Sequence, residues 1–243
     1  MTPLSPATSD KAAAFLDSVA RLNPRLAVFD CDGTLWAGDA GEGFFDWELN
    51  RGIVSPEIVR WARPRYAAYR AGKVSEDAMC GEMVTMHHGL YETDVRRAAL
   101  EYFDLYMLGN VFPEMRELIS RLRQSNCDIW AVSSTNQWVI RAAMRHFDIP
   151  EDHIIAAHVA VENGRITDRL LRVPSGEGKP KAIRAMVGQV PDVAFGNSRW
   201  DVEMLRMAKH PFVINPNPDL LQLANNSGWP VYVPTLVEAA SEP

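Results

Sequence analysis

Cysteine is scarce in this 243-residue chain. The three present, Cys31, Cys80 and Cys127, are odd in number, widely spaced and outside any metal-ligand pattern, which excludes a disulfide framework and suits a reducing compartment. No run of basic residues occurs and the formal net charge is −6, so nucleic acid is not expected as the main partner. The one local exception, Arg60-Trp61-Ala62-Arg63-Pro64-Arg65-Tyr66, reads as the solvated face of a helix. No segment approaches the apolar length of a transmembrane helix, and the small apolar run Ala12 to Leu16 is interrupted by Asp17 and Arg21 before it could serve as a signal-peptide core. No membrane association and a cytoplasmic location are the expectations. Internal repeats and low-complexity segments are absent.

What is present is enough apolar material, 47% of residues, for one large domain or for a domain with an inserted cap. Ser9 or Asp10 can cap a first amphipathic helix that runs to about Leu22, where Pro24 stops it. Strand signals vanish between residues 39 and 109. Helical pieces fill that stretch instead: residues 44–50, 56–72 with Ser55 as N-cap and Pro64 as a kink, 76–88 and 93–108. Met79, Met83 and Met86 fall at helical spacing and read as the small core of this segment. After Pro113, helices alternate with apolar strands at residues 128–132, 154–157, 193–195 and 212–214, the pattern of a doubly wound parallel sheet. Asn163-Gly164, between apolar stretches at residues 159–161 and 165–170, predicts a hairpin turn. The expected organisation is an α/β core, residues 1–38 and 110–243, carrying an all-helical cap over residues 39–109.

The most informative stretch is Leu26-Ala27-Val28-Phe29-Asp30-Cys31-Asp32-Gly33-Thr34-Leu35, where an apolar strand empties into two aspartates. Both carboxylates then lie at a strand's carboxyl end, where open α/β sheets bind ligands. Two carboxylates that close repel unless a cation lies between them or one holds a proton. Mg²⁺ with a phosphate is the usual oxygen-ligated pairing. Three further pieces follow. Ile129-Trp130-Ala131-Val132-Ser133-Ser134-Thr135 is an apolar strand ending in hydroxyls. Gly176-Glu177-Gly178-Lys179-Pro180 is a flexible loop whose lysine opens a helix through Ile183, Met186 and Val187. Val193-Ala194-Phe195-Gly196-Asn197-Ser198-Arg199-Trp200-Asp201 is a strand, a glycine turn and an acid one helical turn on.

In this order and at these separations the four pieces resemble the motifs of the haloacid dehalogenase-like (HAD) superfamily of hydrolases, over most of residues 26–235. The helical insert after the first motif and the ending His210-Pro211-Phe212-Val213-Ile214-Asn215-Pro216 resemble its phosphoserine-phosphatase-like branch. The resemblance implies a Rossmann-like core and assigns roles. Asp30 attacks phosphorus to form an aspartyl phosphate, and Asp32 protonates the leaving oxygen and then activates the hydrolytic water. Ser133 hydrogen-bonds a phosphoryl oxygen. Lys179, preferred over Lys181 because the glycine loop leads into it, neutralises the phosphate. An acid at position 32 points to a phosphatase or phosphomutase rather than a dehalogenase. Gly33, Thr34 and Ser134 are expected at the substrate. Metal binding, with Mg²⁺ as cofactor, falls to Asp30, the backbone carbonyl of Asp32, Asn197 and Asp201. Asn197 departs from the family's usual Gly-Asp: an amide oxygen replaces a carboxylate and should weaken affinity, which Asp201 can offset.

Substrate choice must come from the cap. Asp39 stands where the phosphoserine phosphatases carry an acid that holds the substrate amine, and Glu42 follows closely; turn and helix-capping roles are the competing reading for both. Arg70 is the candidate partner for a substrate carboxylate. Trp36, Phe44, Phe45, Trp47, Trp138 and Trp200 could wall a quaternary ammonium by cation–π attraction. The expected function is a Mg²⁺-dependent phosphatase acting on a small phosphate monoester, with phosphoserine and phosphocholine as amine-bearing candidates. A phosphomutase on the same core, or a catalytically weak phosphate-binding or regulatory protein, are the alternatives; Asn197 motivates the last.

Overall fold

In the computed structural model, which describes residues 10–235, helix α1 (Asp10–Ala20) turns Ala12, Phe15, Leu16 and Val19 inward. Ser9, the alternative N-cap, lies outside the described residues. Strand β1 (Leu26–Phe29) buries all four side chains, as a central parallel strand requires.

Four helices follow: α2 (Ala40–Arg51), α3 (Pro56–Arg70), α4 (Glu76–Thr85) and α5 (Glu92–Tyr102). Helix α2 begins earlier than the apolar pattern predicts because the Asp39 carboxylate accepts the Glu42 N–H at 2.8 Å. Ser55 caps α3, which runs through Pro64 without ending. After α5 the chain widens into a π-helical turn, Phe103–Met107, and then tightens into a 3₁₀ turn, Leu108–Asn110, instead of continuing as one α-helix to residue 108. His87, at the end of α4, is fully buried with its Nε2 2.6 Å from Glu48 Oε2 and its ring edge-on to Trp138.

The remaining chain alternates as expected. It runs through α6 (Pro113–Gln124), β2 (Asp128–Asn136), α7 (Gln137–Met144), β3 (Ile154–Glu162), β4 (Arg165–Arg172), α8 (Gly178–Met186), β5 (Val193–Gly196), α9 (Val202–Met207), β6 (His210–Ile214), α10 (Pro218–Ser227) and β7 (Val231–Tyr232). The seven strands lie in the order β4-β3-β2-β1-β5-β6-β7, all pairs parallel except β3 with β4. Strand β3 is one strand where the sequence suggests two pieces, and Asn163 and Gly164 turn it into β4 with φ of 52° and 74°, the paired positive angles of a tight hairpin. The two-residue β7 carries too little pattern to be foreseen. The sheet reverses direction of winding at β1, between β2 and β5, so the carboxyl ends of these three strands frame the crevice where doubly wound sheets bind ligands.

The helical insert divides between two cores. Phe44 of α2, Val95, Ala99 and Tyr102 of α5, and Phe103 belong to the same buried cluster as Phe29, Ile129 and Phe195 of the sheet. A separate small cluster, Phe45, Leu49, Val54, Ala62, Met79 and Met86, joins α2 to α3 and α4, with Met83 packed against it. No helix among the described residues is long and apolar enough to cross a membrane.

Candidate active site

The loop leaving β1 is tied to β5 by the Asp30 N–H, which donates to Phe195 O at 2.9 Å, and folds on itself through Thr34 and Leu35 N–H donation to Cys31 O. Gly33 sits at φ +72°, and a Cβ there would lie 1.8 Å from Asn197 Nδ2, so both backbone and space demand glycine. Asn215 Nδ2 donates to Gly33 O at 3.2 Å from the end of β6.

Asp30 is buried. Thr34 Oγ1 donates to its Oδ2 at 2.8 Å and Lys179 Nζ to its Oδ1 at 2.6 Å. The same ammonium donates to Asp201 Oδ1 at 2.6 Å and to Val132 O at 2.9 Å, so its three hydrogens are all engaged, while Lys181 is exposed. Burial and the Asp201 charge push the Asp30 carboxyl up to about 6 against the opposing pull of Lys179. Burial alone would lower Lys179, yet the charges of Asp201 and Asp30 hold it above its ordinary value.

Asp32 is held differently. Its Oδ1 accepts the Trp36 indole N–H at 2.8 Å and the Ala40 N–H at 2.6 Å; its Oδ2 meets the Thr135 hydroxyl at 2.7 Å. Burial first, then the Asp39 charge, raise it to about 8. Near neutral pH, Asp30 is therefore mostly carboxylate and Asp32 mostly acid, two adjacent groups tuned apart by environment. Because indole and amide N–H groups only donate, the acid proton belongs on Oδ2, beside a hydroxyl that can reverse its role.

Ser133 and Ser134, consecutive on β2, part company. Ser133 is buried and accepts the Thr135 N–H at 3.1 Å, whereas Ser134 donates outward to Glu76 Oε1 at 3.3 Å. The helix that follows is capped by Asn136, which accepts the Val139 N–H at 3.0 Å.

Asp201, expected among the metal ligands, is fully engaged within the protein. Its Oδ1 is taken by Lys179, and its Oδ2 accepts from Asn197 N–H (3.0 Å), Ser198 N–H (2.9 Å) and Ser198 Oγ (3.1 Å). Among the described residues no three His, Cys, Asp or Glu side chains form a metal-holding group. The oxygens expected to meet a cation are those of the Asp30 and Asp201 carboxylates, the Asp32 carbonyl and the Asn197 carboxamide, which lies against Gly33. An all-oxygen set of this kind fits Mg²⁺, which commonly binds through one or two carboxylates, waters and substrate phosphate.

Beside Asp32 opens a small cleft between the helical insert and β2, lined on the insert side by Asp39, Glu42, Tyr66, Tyr69, Arg70 and Glu76 and on the strand side by Ser134, Thr135 and Asn136. Asp39 caps α2 and also faces this cleft, so both readings of it hold. Glu42 lies 3.7 Å from Arg70 and is bonded by the Tyr66 hydroxyl. The expected aromatic wall is not there: Trp36, Phe44, Phe45 and Trp138 are fully buried packing residues, Trp47 stacks on Phe44, and Trp200 lies under Arg199.

The model of the haloacid dehalogenase-like hydrolase family matches residues 27–206. The chain belongs to that family. A histidinol-phosphatase of Neisseria meningitidis serogroup C is 24% identical over 217 residues, covering 85% of this chain and 97% of the relative. A probable phosphatase of Mycobacterium tuberculosis is 26% identical over 213 residues, covering 84% of this chain and 74% of the relative. Among solved structures, a protein of unknown function from Bordetella pertussis Tohama I matches with a TM-score of 0.76 at 21% identity, covering 85% of this chain and 97% of that one. A phosphoserine phosphatase in a phospho-aspartyl intermediate analogue state matches with a TM-score of 0.55 at 16% identity, over 82% and 90% of the two chains. These structural likenesses establish the shared HAD-like fold.

In this HAD hydrolase, sequence reasoning missed Thr135, Trp36 as a hydrogen-bond donor, and Tyr66, Tyr69 and Glu76. Thr135 could have been found, because it ends the same hydroxyl run as Ser133. The three insert residues carry no local signal, since they meet the site only through the packing of α3 and α4.

Proposed function

We propose that this HAD-family phosphatase hydrolyses the phosphate monoester of a small amino alcohol through an aspartyl phosphate on Asp30. The observation that carries the reading is the opposed tuning of Asp30 and Asp32, a carboxylate and an acid side by side near neutral pH. In the first step an Asp30 oxygen bonds phosphorus, the ester P–O bond breaks, and the Asp32 Oδ2 proton passes to the leaving alkoxide. In the second, Asp32, now a carboxylate held by Trp36, Ala40 N–H and Thr135, takes a proton from water as that water attacks phosphorus. The bond to Asp30 breaks and inorganic phosphate leaves. Lys179 and Ser133 are assigned to the phosphoryl oxygens, and Thr34 and Gly33 shape the loop that presents Asp30. Asp201 anchors Lys179. Asp30, the Asp32 carbonyl, Asn197 and Asp201 would hold Mg²⁺, which when bound offsets phosphoryl charge.

The amine assignment rests on charge. The cleft has three carboxylates and one arginine, and that arginine already faces Glu42. A substrate carboxylate finds no free positive partner there, which favours an amino alcohol over phosphoserine, with the ammonium opposite Asp39. Histidinol phosphate, named by the Neisseria relative, is an ester of this kind. None of the tryptophans lines the cleft, so they lend no support to a choline cage.

The test is phosphate release from phosphoethanolamine, L-histidinol phosphate, phosphoserine, phosphocholine and glycerol 3-phosphate, with Mg²⁺ or EDTA, beside Asp30→Asn. Release that needs Mg²⁺ and Asp30 and is fastest on amino alcohol esters is the expected result. Equal rates on glycerol 3-phosphate would remove the amine assignment, and no release at all would remove the phosphatase.

A further inference from the structure

The cleft beside Asp32 holds more negative charge than its own basic residues neutralise. Glu42 has Arg70 at 3.7 Å. Asp39 accepts backbone N–H groups and, among the described residues, forms no ion pair with a basic side chain. Glu76, in the first turn of α4, is only 9% exposed, yet its carboxylate meets neutral donors: the Tyr69 hydroxyl, the Ser134 hydroxyl at 3.3 Å and, weakly, Cys80 Sγ at 3.7 Å. A carboxylate withdrawn from water and held without a counter-ion is unfavourable until a cation reaches it. Tyr66 and Tyr69 line the same cleft, and aromatic faces favour cations.

The position of Glu76 says which ligand brings that cation. Ser134 touches Glu76 through its hydroxyl, and Thr135, the next residue, touches Asp32 Oδ2 through its own at 2.7 Å. The Glu76 carboxylate thus adjoins the side of the site where the proposed acid meets the leaving alcohol.

We propose that Glu76 is a specificity-determining residue that pairs with a second positively charged group on the leaving alcohol, so that the preferred substrate carries one nitrogen cation opposite Asp39 and another, a protonated imidazole or second ammonium, opposite Glu76. This rests on the phosphatase reading above and narrows its substrate from an amino alcohol phosphate to a dicationic one. Tyr69 and Ser134 orient the carboxylate.

The test compares kcat/KM on L-histidinol phosphate, phosphoethanolamine and glycerol 3-phosphate for the wild-type protein and Glu76→Gln, whose amide oxygen can still accept from Tyr69 and Ser134. The wild type should prefer histidinol phosphate to phosphoethanolamine, and Glu76→Gln should reduce that ratio by about tenfold or more, the scale of one charged hydrogen bond. The ratio of phosphoethanolamine to glycerol 3-phosphate, which reads Asp39, should keep its wild-type value. An unchanged histidinol-to-ethanolamine ratio in Glu76→Gln would overturn the proposal and leave Glu76 a structural residue. Product inhibition of the wild-type protein supplies a measurement independent of any variant: L-histidinol should inhibit more tightly than ethanolamine, and equal inhibition overturns the proposal. Absence of release from every monoester, p-nitrophenyl phosphate included, overturns the phosphatase reading and this one together. Release without preference for two charges overturns this one alone.

Discussion

The Lys179 ammonium stands 2.6 Å from Oδ1 of Asp30 and 2.6 Å from Oδ1 of Asp201, with all three side chains buried. One cation therefore compensates two carboxylates, and it does so from the first turn of α8, where the glycine loop delivers it.

Lys179→Met should expose the cost of that arrangement. It leaves two buried carboxylates facing each other without a counter-ion, and breaking a buried pair in this way is destabilising by about 3–5 kcal/mol. Urea unfolding at neutral pH should show the loss and phosphate release should disappear. A wild-type unfolding midpoint would contradict the assignment of Lys179 as the buried counter-ion.

As the proposed acid, Asp32 should set the alkaline limb of activity. Its carboxyl is raised to about 8, so the acid form that protonates the leaving oxygen is lost as pH rises through that value. The expected kcat/KM on an alkyl phosphate falls tenfold per pH unit above it. Asp32→Asn, which cannot donate an acidic proton, should retain more activity on p-nitrophenyl phosphate, whose leaving group needs little help, than on alkyl esters. Equal losses on both would argue against Asp32 as the acid.

Asn197→Asp should tighten Mg²⁺. It adds a carboxylate where a neutral carboxamide now lies against Gly33, and calorimetric titration should show a lower dissociation constant. Gly33→Ala should act in the opposite direction, since its Cβ would displace the Asn197 side chain. Unchanged metal affinity in Asn197→Asp would remove Asn197 from the ligand set.

His87 and Glu48 make stability depend on pH. Burial works to lower the His87 pKa, but the charge and hydrogen bond of Glu48 leave it raised above 6.5; Glu48 is raised by burial against the pull of His87. A histidine whose folded pKa is raised contributes stability fully below its unfolded pKa and loses that contribution as pH climbs through the folded value. The raised Glu48 acts in the same direction. Thermal midpoints should therefore decline from pH 6 to pH 9, and Glu48→Gln should flatten the decline while lowering stability at pH 6.

The motif residues were legible because each sits on a short local pattern whose geometry is set by its own strand end. Asp30, Asp32, Ser133 and Lys179 needed only β1, β2 and the start of α8 to be placed. Asp201 was legible as a residue of the fourth motif, but its partners, Lys179 and the backbone of Asn197 and Ser198, were not, because they converge only in the folded loop. Glu76 and Tyr69 were beyond reach for a stronger reason: nothing in an α-helical pattern records which residues a second helix will carry over a distant strand. The tryptophans misled because an aromatic near a motif in sequence can pack either towards ligand or into the core, and Trp36 and Trp138 are fully buried in the main cluster.

The division of the helical insert between two apolar clusters has a consequence for how this scaffold changes. Substitutions on α5 are read by the whole sheet, since its inner face is shared with β1 and β2. Those on α3 are answered by a handful of neighbours in the small cluster, while α4 is held on two sides, by that cluster through Met79 and by the main one through Val84. Under the proposed function, the α3 wall of the cleft is thus the part freest to vary while the strand ends assigned to phosphorus are not, a reading head mounted on a fixed frame.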